Sequence, residues 1–336
     1  MALTASIAVA QSVAWNLAGR EDLLTFGFLN EIAGGEIWRF PGSTGGLARV
    51  SSVLSEPAHL IRVLGPVLGI VLARVGAFGR RVRLSVAELV SLPVAIVTVL
   101  AYFVAGSLIG IFELFVVMVV AWTLIGRGGI GTIKLLLWQL LFGCVLIAIF
   151  FLYFGEDASE RLGTIDIVFS GGNRWEYIST DSVSSLAIAT NREVMLESLK
   201  ENILLGVGIG CHPISYMTQA PLFLGDSGGS LELNAMDGSG LLIRLLSETG
   251  LAGTALFIGA LVVPILHVFK FVRSGNGRLT SSKEQTRLCL LTASFSGVLL
   301  GALGRYGSYV DPILWVSFGL MLGYSGLRTA SGVSRT

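Results

Sequence analysis

One short segment places groups that could do chemistry beside an apolar stretch. Residues 49–57 read Arg-Val-Ser-Ser-Val-Leu-Ser-Glu-Pro, and an apolar run follows. If the segment is helical, Arg49 and Glu56 are seven residues apart and share one face. The segment thus places a guanidinium, three hydroxyls and a carboxylate together at a membrane edge, where a membrane enzyme would do its chemistry. A local ion pair of Arg49, and the stabilisation of Glu56 by the dipole of the helix that follows it, explain the segment too.

Other ionisable residues that could join such a site lie in the second half of the chain. Each has a structural alternative: a solvated helix face for Arg192, a structural hydrogen bond for His212, an ion pair with Glu248 for Arg244, and anchoring at a membrane interface for Arg305. The candidate substrate-binding residues are Arg174, which precedes Trp175, and Arg244, His212 and Arg305.

The glycine-rich run Gly-Val-Gly-Ile-Gly at residues 206–210 resembles a nucleotide-binding loop only superficially. No predicted strand precedes it, and no Gly-Lys-Ser/Thr follows it. We therefore expect a tight turn at which the backbone can approach a neighbouring helix or a phosphate closely.

The composition indicates an integral membrane protein. Of 336 residues, 53% are hydrophobic and only 13% are charged, with a mean hydropathy of +0.77. Soluble domains carry about 25% charged residues. The net charge of +1 and the absence of a basic run give no indication of nucleic acid as a partner. Three scattered cysteines, without any Asp-x-Asp or His-x-x-x-His pattern, predict neither a disulfide framework nor a metal site, and we expect no cofactor.

Apolar segments of about 20 residues predict the membrane spans. We expect an all-α, polytopic protein with about seven transmembrane helices. The seven segments that qualify are 57–76, two within 84–126 that turn near Gly106 and Ser107, 135–153, 250–271, 288–304 and 310–327, and the stretch 2–18 is a weaker further candidate. The predicted divisions are 1–56, a weak span plus an outer segment; 57–153, spans; 154–239, a large outer loop; and 240–336, spans and a C-terminal tail. No positively charged region precedes the first apolar segment, so a removable signal peptide is not expected.

The distribution of Lys and Arg in the short loops predicts the orientation. Basic residues cluster at 74–83, at 127–134, at 270–287 and at 328–335. If these positions are cytoplasmic, the outer face holds residues 20–56, the loop 154–239 and the turn at Arg305. Arg49, Glu56, Arg174, Arg192 and His212 then all lie on the outer side.

Three segments in this order resemble the superfamily of bacterial O-antigen polymerases and O-antigen ligases. The first is the segment 49–57. The second is Asn191-Arg192 on a polar helix, followed by Glu-Asn-Ile-Leu-Leu-Gly-Val-Gly-Ile-Gly at 201–210. The third is Ser-Gly-Leu-Leu-Ile-Arg-Leu-Leu-Ser-Glu-Thr-Gly at 239–250, where a span begins. The resemblance covers roughly residues 45–325. Family members usually have more spans upstream, so we expect the chain to be short at its N-terminus.

The resemblance implies a GT-C-like membrane glycosyltransferase of the bacterial inner membrane. It would polymerise undecaprenyl-diphosphate-linked oligosaccharide repeat units, for O-antigen, capsule or exopolysaccharide, on the periplasmic face and without a metal ion. Arg49 and Arg192 would hold the donor diphosphate, and Glu56 would act as base or orient the acceptor. The implied partners are the lipid-linked donor and acceptor, membrane lipid, and a chain-length regulator and flippase.

Two alternatives remain open at this stage. Ligases of the superfamily usually carry a His-Asn pair just before the last-named helix, where this chain reads Met-Asp-Gly-Ser at 236–239. That difference favours a polymerase over an O-antigen or protein glycan ligase. A transporter or flippase of lipid-linked sugars would instead show charged or broken helices in mid-membrane. The predicted spans are nearly free of charge, apart from Glu88 and Glu113 near their presumed ends.

Overall fold

Every regular element among the described residues is a helix. The computed structural model describes residues 2–20, 23–26, 54, 57–125, 183–224, 235–236, 238–273, 282–305 and 308–333. The chain divides into two compact units. Unit 1 comprises Met1–Gly155, Ile265–Leu300 and Pro312–Thr336, and unit 2 comprises Glu156–Pro264 and Gly301–Asp311.

The described residues of the first half of the chain contribute six helices to unit 1, and all of them except the basic helix Arg80–Ser85 are mainly apolar. They are α1 (Ala2–Ser12, continued by a π-helical turn Val13–Leu17), α2 (Pro57–Leu64), α3 (Leu68–Val75), α4 (Arg80–Ser85), α5 (Leu92–Val104) and α6 (Leu108–Ile125). Buried aliphatic and small side chains of these helices form its core. The predicted turn near Gly106 is confirmed, because α5 ends at Val104 and α6 begins at Leu108, with Gly106 at a positive φ of 56°.

Two predicted segments in unit 1 differ from the structure, and a proline lies at each point of difference. Of the two helices predicted within 84–126, the first begins at Leu92, with a proline in its first turn. The segment predicted at 57–76 is helical from Pro57 to Val75 but is interrupted by a 3-10 turn at Gly65–Val67. Pro66 has no N–H to donate to the helical ladder. Two residues after the turn, the N–H of Gly69 donates to Oγ of Ser294 at 2.9 Å.

A buried carboxyl group lies close to this break. Glu113 of α6 is 1% exposed and accepts a hydrogen bond of 2.9 Å from the hydroxyl of Tyr102. A Cβ added at Gly65 would lie 3.5 Å from Oε2 of Glu113. Glu113 lies in the second turn of α6, near the end of the predicted span, and its side chain is buried inside unit 1.

Unit 2 is built from α7 (Val183–Glu201), α8 (His212–Leu224) and the first part of α9 (Leu241–Arg273). The helix predicted around Arg192 is confirmed as α7. Gly250 interrupts α9 with non-helical angles, φ 60° and ψ −164°. After α9 follow α10 (Ser282–Gly304) and α11 (Pro312–Val333).

Two of the described helices are long and apolar enough to cross a membrane, namely Leu241–Val272 and Lys283–Gly304. Shorter apolar helices are Ala2–Leu17, Leu92–Val104, Ile109–Ile125 and Pro312–Ser325. The span predicted at 135–153 lies outside the described residues.

Candidate functional site

The inner face of α7 carries two polar residues beside apolar ones. Asn191, Val194, Met195 and Ser198 are buried and follow the three-and-four spacing of one helix face. Val194 packs with Tyr216 and Ala220 of α8 in a small core. Arg192, the residue after Asn191, is only half-buried. The helix thus fixes Asn191 in the interior, and the neighbouring Arg192 keeps access to solvent.

Asn191 joins three segments of unit 2. Its amide nitrogen donates to the Ala187 carbonyl at 2.8 Å and to Oγ of Ser239 at 3.1 Å. Its amide oxygen lies 2.9 Å from Nε2 of His212. We call Asn191, His212, Ser239, Arg244 and Glu248, together with Ser308 and Tyr309, the polar network.

The bonds of Asn191 decide which ring nitrogen of His212 carries the proton. The Ala187 carbonyl can only accept, so the nitrogen of the Asn191 amide faces it and the oxygen faces His212. Nε2 of His212 is therefore the donor, and Nδ1 holds a lone pair. Nδ1 is buried and makes no hydrogen bond to the residues that the structure describes.

Burial keeps His212 neutral. Desolvation lowers the pKa of His212 from 6.5 to about 4; the positive charge of Arg244 adds to the lowering, and the negative charge of Glu248 opposes it. An effective general base has a pKa near the working pH. His212 is accordingly suited to holding hydrogen bonds rather than to removing a proton at neutral pH.

The ion pair expected between Arg244 and Glu248 is confirmed. Nε of Arg244 donates to Oε1 of Glu248 at 2.9 Å, and the Glu248 side chain is fully buried. The same carboxylate oxygen lies 3.4 Å from the backbone N–H of His212. The ion pair therefore links the start of α9 to the start of α8.

Two further segments hold the guanidinium of Arg244. Nη1 donates to the carbonyl of Met236 at 2.7 Å and to Oγ of Ser308 at 3.1 Å, and Nη2 donates to the hydroxyl of Tyr309 at 3.2 Å. The guanidinium carbon also lies 4.6 Å from the centre of the Tyr309 ring, a cation–π distance. Burial, and then the interaction with Glu248, raise the pKa of Tyr309. Together with the bond from Nε to Glu248, these three hydrogen bonds occupy four of the five N–H groups of Arg244.

The glycine-rich turn docks on the kink of α9. The N–H groups of Val207 and Gly208 donate to the carbonyls of Ser247 and Glu248, both at 2.9 Å. In return, the N–H groups of residues 251 and 252 donate to the carbonyls of residues 203 and 204 at 2.9 and 3.1 Å. A Cβ on Gly206 would lie 2.4 Å from the carbonyl oxygen of Ser247. The expected tight turn against a neighbouring helix is confirmed.

Two buried acceptor atoms of the network, Nδ1 of His212 and Oε2 of Glu248, make no direct hydrogen bond to the described residues. The Glu248 carboxylate still interacts with the hydroxyl of Tyr309, so Nδ1 of His212 is the less satisfied of the two. A buried acceptor without a donor is unfavourable by about 1–3 kcal/mol. A hydroxyl group is one donor from which this nitrogen could accept.

The structure brings together two of the predicted site residues. His212 and Arg244 belong to the polar network, and Arg192 adjoins it through Asn191. Arg305 is half-buried at the end of α10, in the same unit. The other three, Arg49, Glu56 and Arg174, lie outside the described residues. The expected helix start after Glu56 is confirmed at Pro57.

Sequence reasoning assigned no role to Asn191, Ser239 or Tyr309. A signal existed for Asn191, because a polar residue in register with Val194 and Ser198 on one helix face predicts a buried hydrogen bond. Tyr309 lies 65 residues from Arg244, and no local pattern relates the two. In the part of the chain that the structure describes, no group of three or more His, Cys, Asp or Glu could hold a metal ion.

The described residues thus define a helical protein that has two helices able to cross a membrane and a buried polar network in its second unit. Comparisons with protein-family models, with curated proteins and with solved structures found no match.

Proposed function

We propose that the protein is a multi-pass membrane glycosyltransferase that joins lipid-diphosphate-linked oligosaccharide repeat units on the outer face of the bacterial inner membrane. The observation that supports this most is the meeting of two of the three resembling segments. Asn191, from the second segment, bonds to Ser239 of the third, and the turn at 206–208 bonds to residues 247 and 248. Each motif has low specificity when it is taken alone, but the second and third segments belong to one hydrogen-bonded unit.

In the proposed reaction, a hydroxyl oxygen of the acceptor sugar attacks the anomeric carbon of the donor. The bond from that carbon to the diphosphate breaks, and the lipid diphosphate leaves with the electron pair. Arg192 would neutralise the charge that grows on the leaving group, because donors aimed at developing charge lower the barrier strongly. Arg49 would share this role, Glu56 would receive the hydroxyl proton, and Arg174 and Arg305 would contact the substrate.

The roles of Arg244 and His212 change in this proposal. Arg244 has one N–H group left beyond its protein partners, so we assign it to holding the site rather than to binding diphosphate. His212 is neutral and buried, and it positions the Asn191 side chain. Both residues act through Asn191 and α7 on the orientation of Arg192.

A ligase is the second candidate, and one distance favours it. Sequence reasoning disfavoured a ligase because residues 236–239 contain no histidine. A Cβ added at Gly238 would nevertheless lie 3.2 Å from Nε2 of His212. The imidazole of His212, which is hydrogen-bonded to Asn191, thus lies beside the loop 236–239.

A flippase is the third candidate. The break of the helix 57–75 at Gly65–Val67 and the buried carboxyl of Glu113 are features that a transporter would carry in its spans. Neither feature involves a residue of the polar network.

Deleting the gene and examining the glycans separates the three candidates. A polymerase predicts that single repeat units reach the final acceptor and that long chains are missing. A ligase predicts long chains that stay on the lipid carrier. A flippase predicts lipid-linked repeat units that accumulate on the inner face. The first outcome supports the proposal, and either of the others overturns it.

A further inference from the structure

Unit 2 has an exposed apolar surface that is separate from the residues of the polar network. Six large aliphatic side chains within 15 residues of the chain are 51–75% exposed. We call them the apolar rim: Ile203, Leu204, Leu205, Ile209, Ile214 and Met217. Single exposed aliphatic residues are common on soluble proteins, but a group of this size indicates contact with a partner or a membrane.

Backbone hydrogen bonds attach the first residues of the rim to α9. The carbonyls of Ile203 and Leu204 accept from the N–H groups of Leu251 and Ala252, just beyond the kink of α9. The helix α8 has one buried face and one exposed face. His212, Tyr216 and Ala220 are buried, whereas Ile214 and Met217 are exposed. The exposed side chains therefore belong to a fixed surface of the unit.

The kink at Gly250 marks a change in the surroundings of α9. Before it, Leu245, Ser247 and Glu248 are buried. After it, the helix turns apolar side chains outward, among them Leu251, Leu256 and Val263. Residues 251–272 measure about 33 Å as a helix, which matches the hydrocarbon thickness of a bilayer. A span that begins at the kink would place the membrane boundary where the rim is attached to α9.

We propose that the apolar rim lies in the adjacent lipid leaflet and fixes the depth of unit 2 at the membrane surface. The exposed surface of α9 and the rim are continuous at residues 203–204 and 251–252, so lipid that surrounds the span also meets the rim. Rim residues lie on both sides of His212 in the sequence, at 203–209 and at 214–217. A rim in the lipid would therefore hold the polar network at the level of the lipid headgroups. This inference does not depend on the proposed enzymatic function.

Spin labels test the proposal in the whole protein, reconstituted in nanodiscs. Cysteines are introduced by Leu205→Cys and Ile209→Cys in a background in which the native cysteines are replaced by alanine. Lys200→Cys is the control, because Lys200 is exposed one turn away at the end of α7. Collision with oxygen, which concentrates in lipid, is compared with collision with a water-soluble nickel chelate.

At positions 205 and 209 we expect oxygen to collide more often than the nickel chelate, and at position 200 we expect the reverse. Frequent nickel collisions at 205 and 209 would place the rim in water and overturn the proposal. Exclusion of both reagents would show that protein covers the rim, which overturns it as well.

A second measurement keeps the native cysteines, in case the altered background does not fold. A photoreactive benzophenone amino acid replaces Leu205, with Lys200 again as the control position. Mass spectrometry should find lipid adducts from position 205 and few from position 200. Equal adduct yields at the two positions would contradict the proposed contact.

Discussion

At the scale of single residues, the neutral imidazole of His212 has a consequence for stability. Its pKa of about 4 in the folded protein lies below the 6.5 of an unfolded chain. Between these two values the unfolded chain binds more protons, so stability rises with pH. The contribution is complete above pH 6.5 and is lost as the pH falls towards 4. It amounts to about 3 kcal/mol.

His212→Gln tests this contribution, because glutamine can still offer an N–H to Asn191 and does not titrate. We expect the wild-type protein to lose more stability than the variant when the pH falls from 7 to 4. The measurement is the unfolding temperature in detergent at a series of pH values. Parallel curves for the two proteins would show that His212 is not a buried neutral group.

The ion pair between Arg244 and Glu248 makes a second prediction. Arg244→Met leaves the buried carboxylate of Glu248 without its cation, which is unfavourable by about 3–5 kcal/mol. Adding Glu248→Gln removes the stranded charge, so the double variant should be more stable than Arg244→Met alone. Denaturant unfolding of the wild-type protein, both single variants and the double variant measures the coupling. Strictly additive losses would mean that the two side chains do not interact.

At the scale of elements, two glycines join the turn at 206–210 to the kink of α9. Gly206 and Gly250 have positive φ, and a Cβ on either would lie 2.4 Å from backbone atoms of the other segment. Gly210 also has a positive φ, of 82°, but open space around its Cβ position. Gly210→Ala should therefore lower the free energy of unfolding only by the strain of an alanine at positive φ, about 1–2 kcal/mol.

Gly206→Ala and Gly250→Ala should each lower the unfolding temperature more than Gly210→Ala does, because the two segments must separate. They should also reduce the proposed transferase activity, since the turn lies just before His212. If the three variants are equally stable, the contact between the turn and the kink is not formed.

Local features of these elements could be predicted from the sequence. The turn near Gly106, the helix start at Pro57 and the ion pair four residues apart all follow from short-range rules. Pro66 also carried a local signal for the broken helix. Contacts between distant segments could not be predicted, because Asn191 with His212 and Arg244 with Tyr309 depend on how whole helices pack. Neither residue type nor spacing encodes such a contact.

At the scale of the whole molecule, the proposal assigns one task to the long apolar helices and another to the helices α7 and α8 of unit 2. The two long apolar helices are suited to crossing the membrane. In unit 2, α7 carries Arg192, and Asn191 and Ser198 on its inner face bond to Ser239 and Ser247, before and within the start of α9. The helix α8 carries His212, whose backbone N–H lies 3.4 Å from the carboxylate of Glu248 in α9. Arg192, to which the proposal assigns the catalytic charge, then lies on a helix that is hydrogen-bonded along its inner face rather than on a free loop, which suits the orientation of a diphosphate.

The most direct measurement is chain formation by the purified protein in liposomes that contain lipid-diphosphate-linked repeat units. We expect the wild-type protein to produce a ladder of polymers and Arg192→Ala to leave single repeat units. Lys200→Ala, which removes an exposed charge from the same helix, should give a normal ladder. A normal ladder from Arg192→Ala, or no ladder from the folded wild-type protein, would contradict the account.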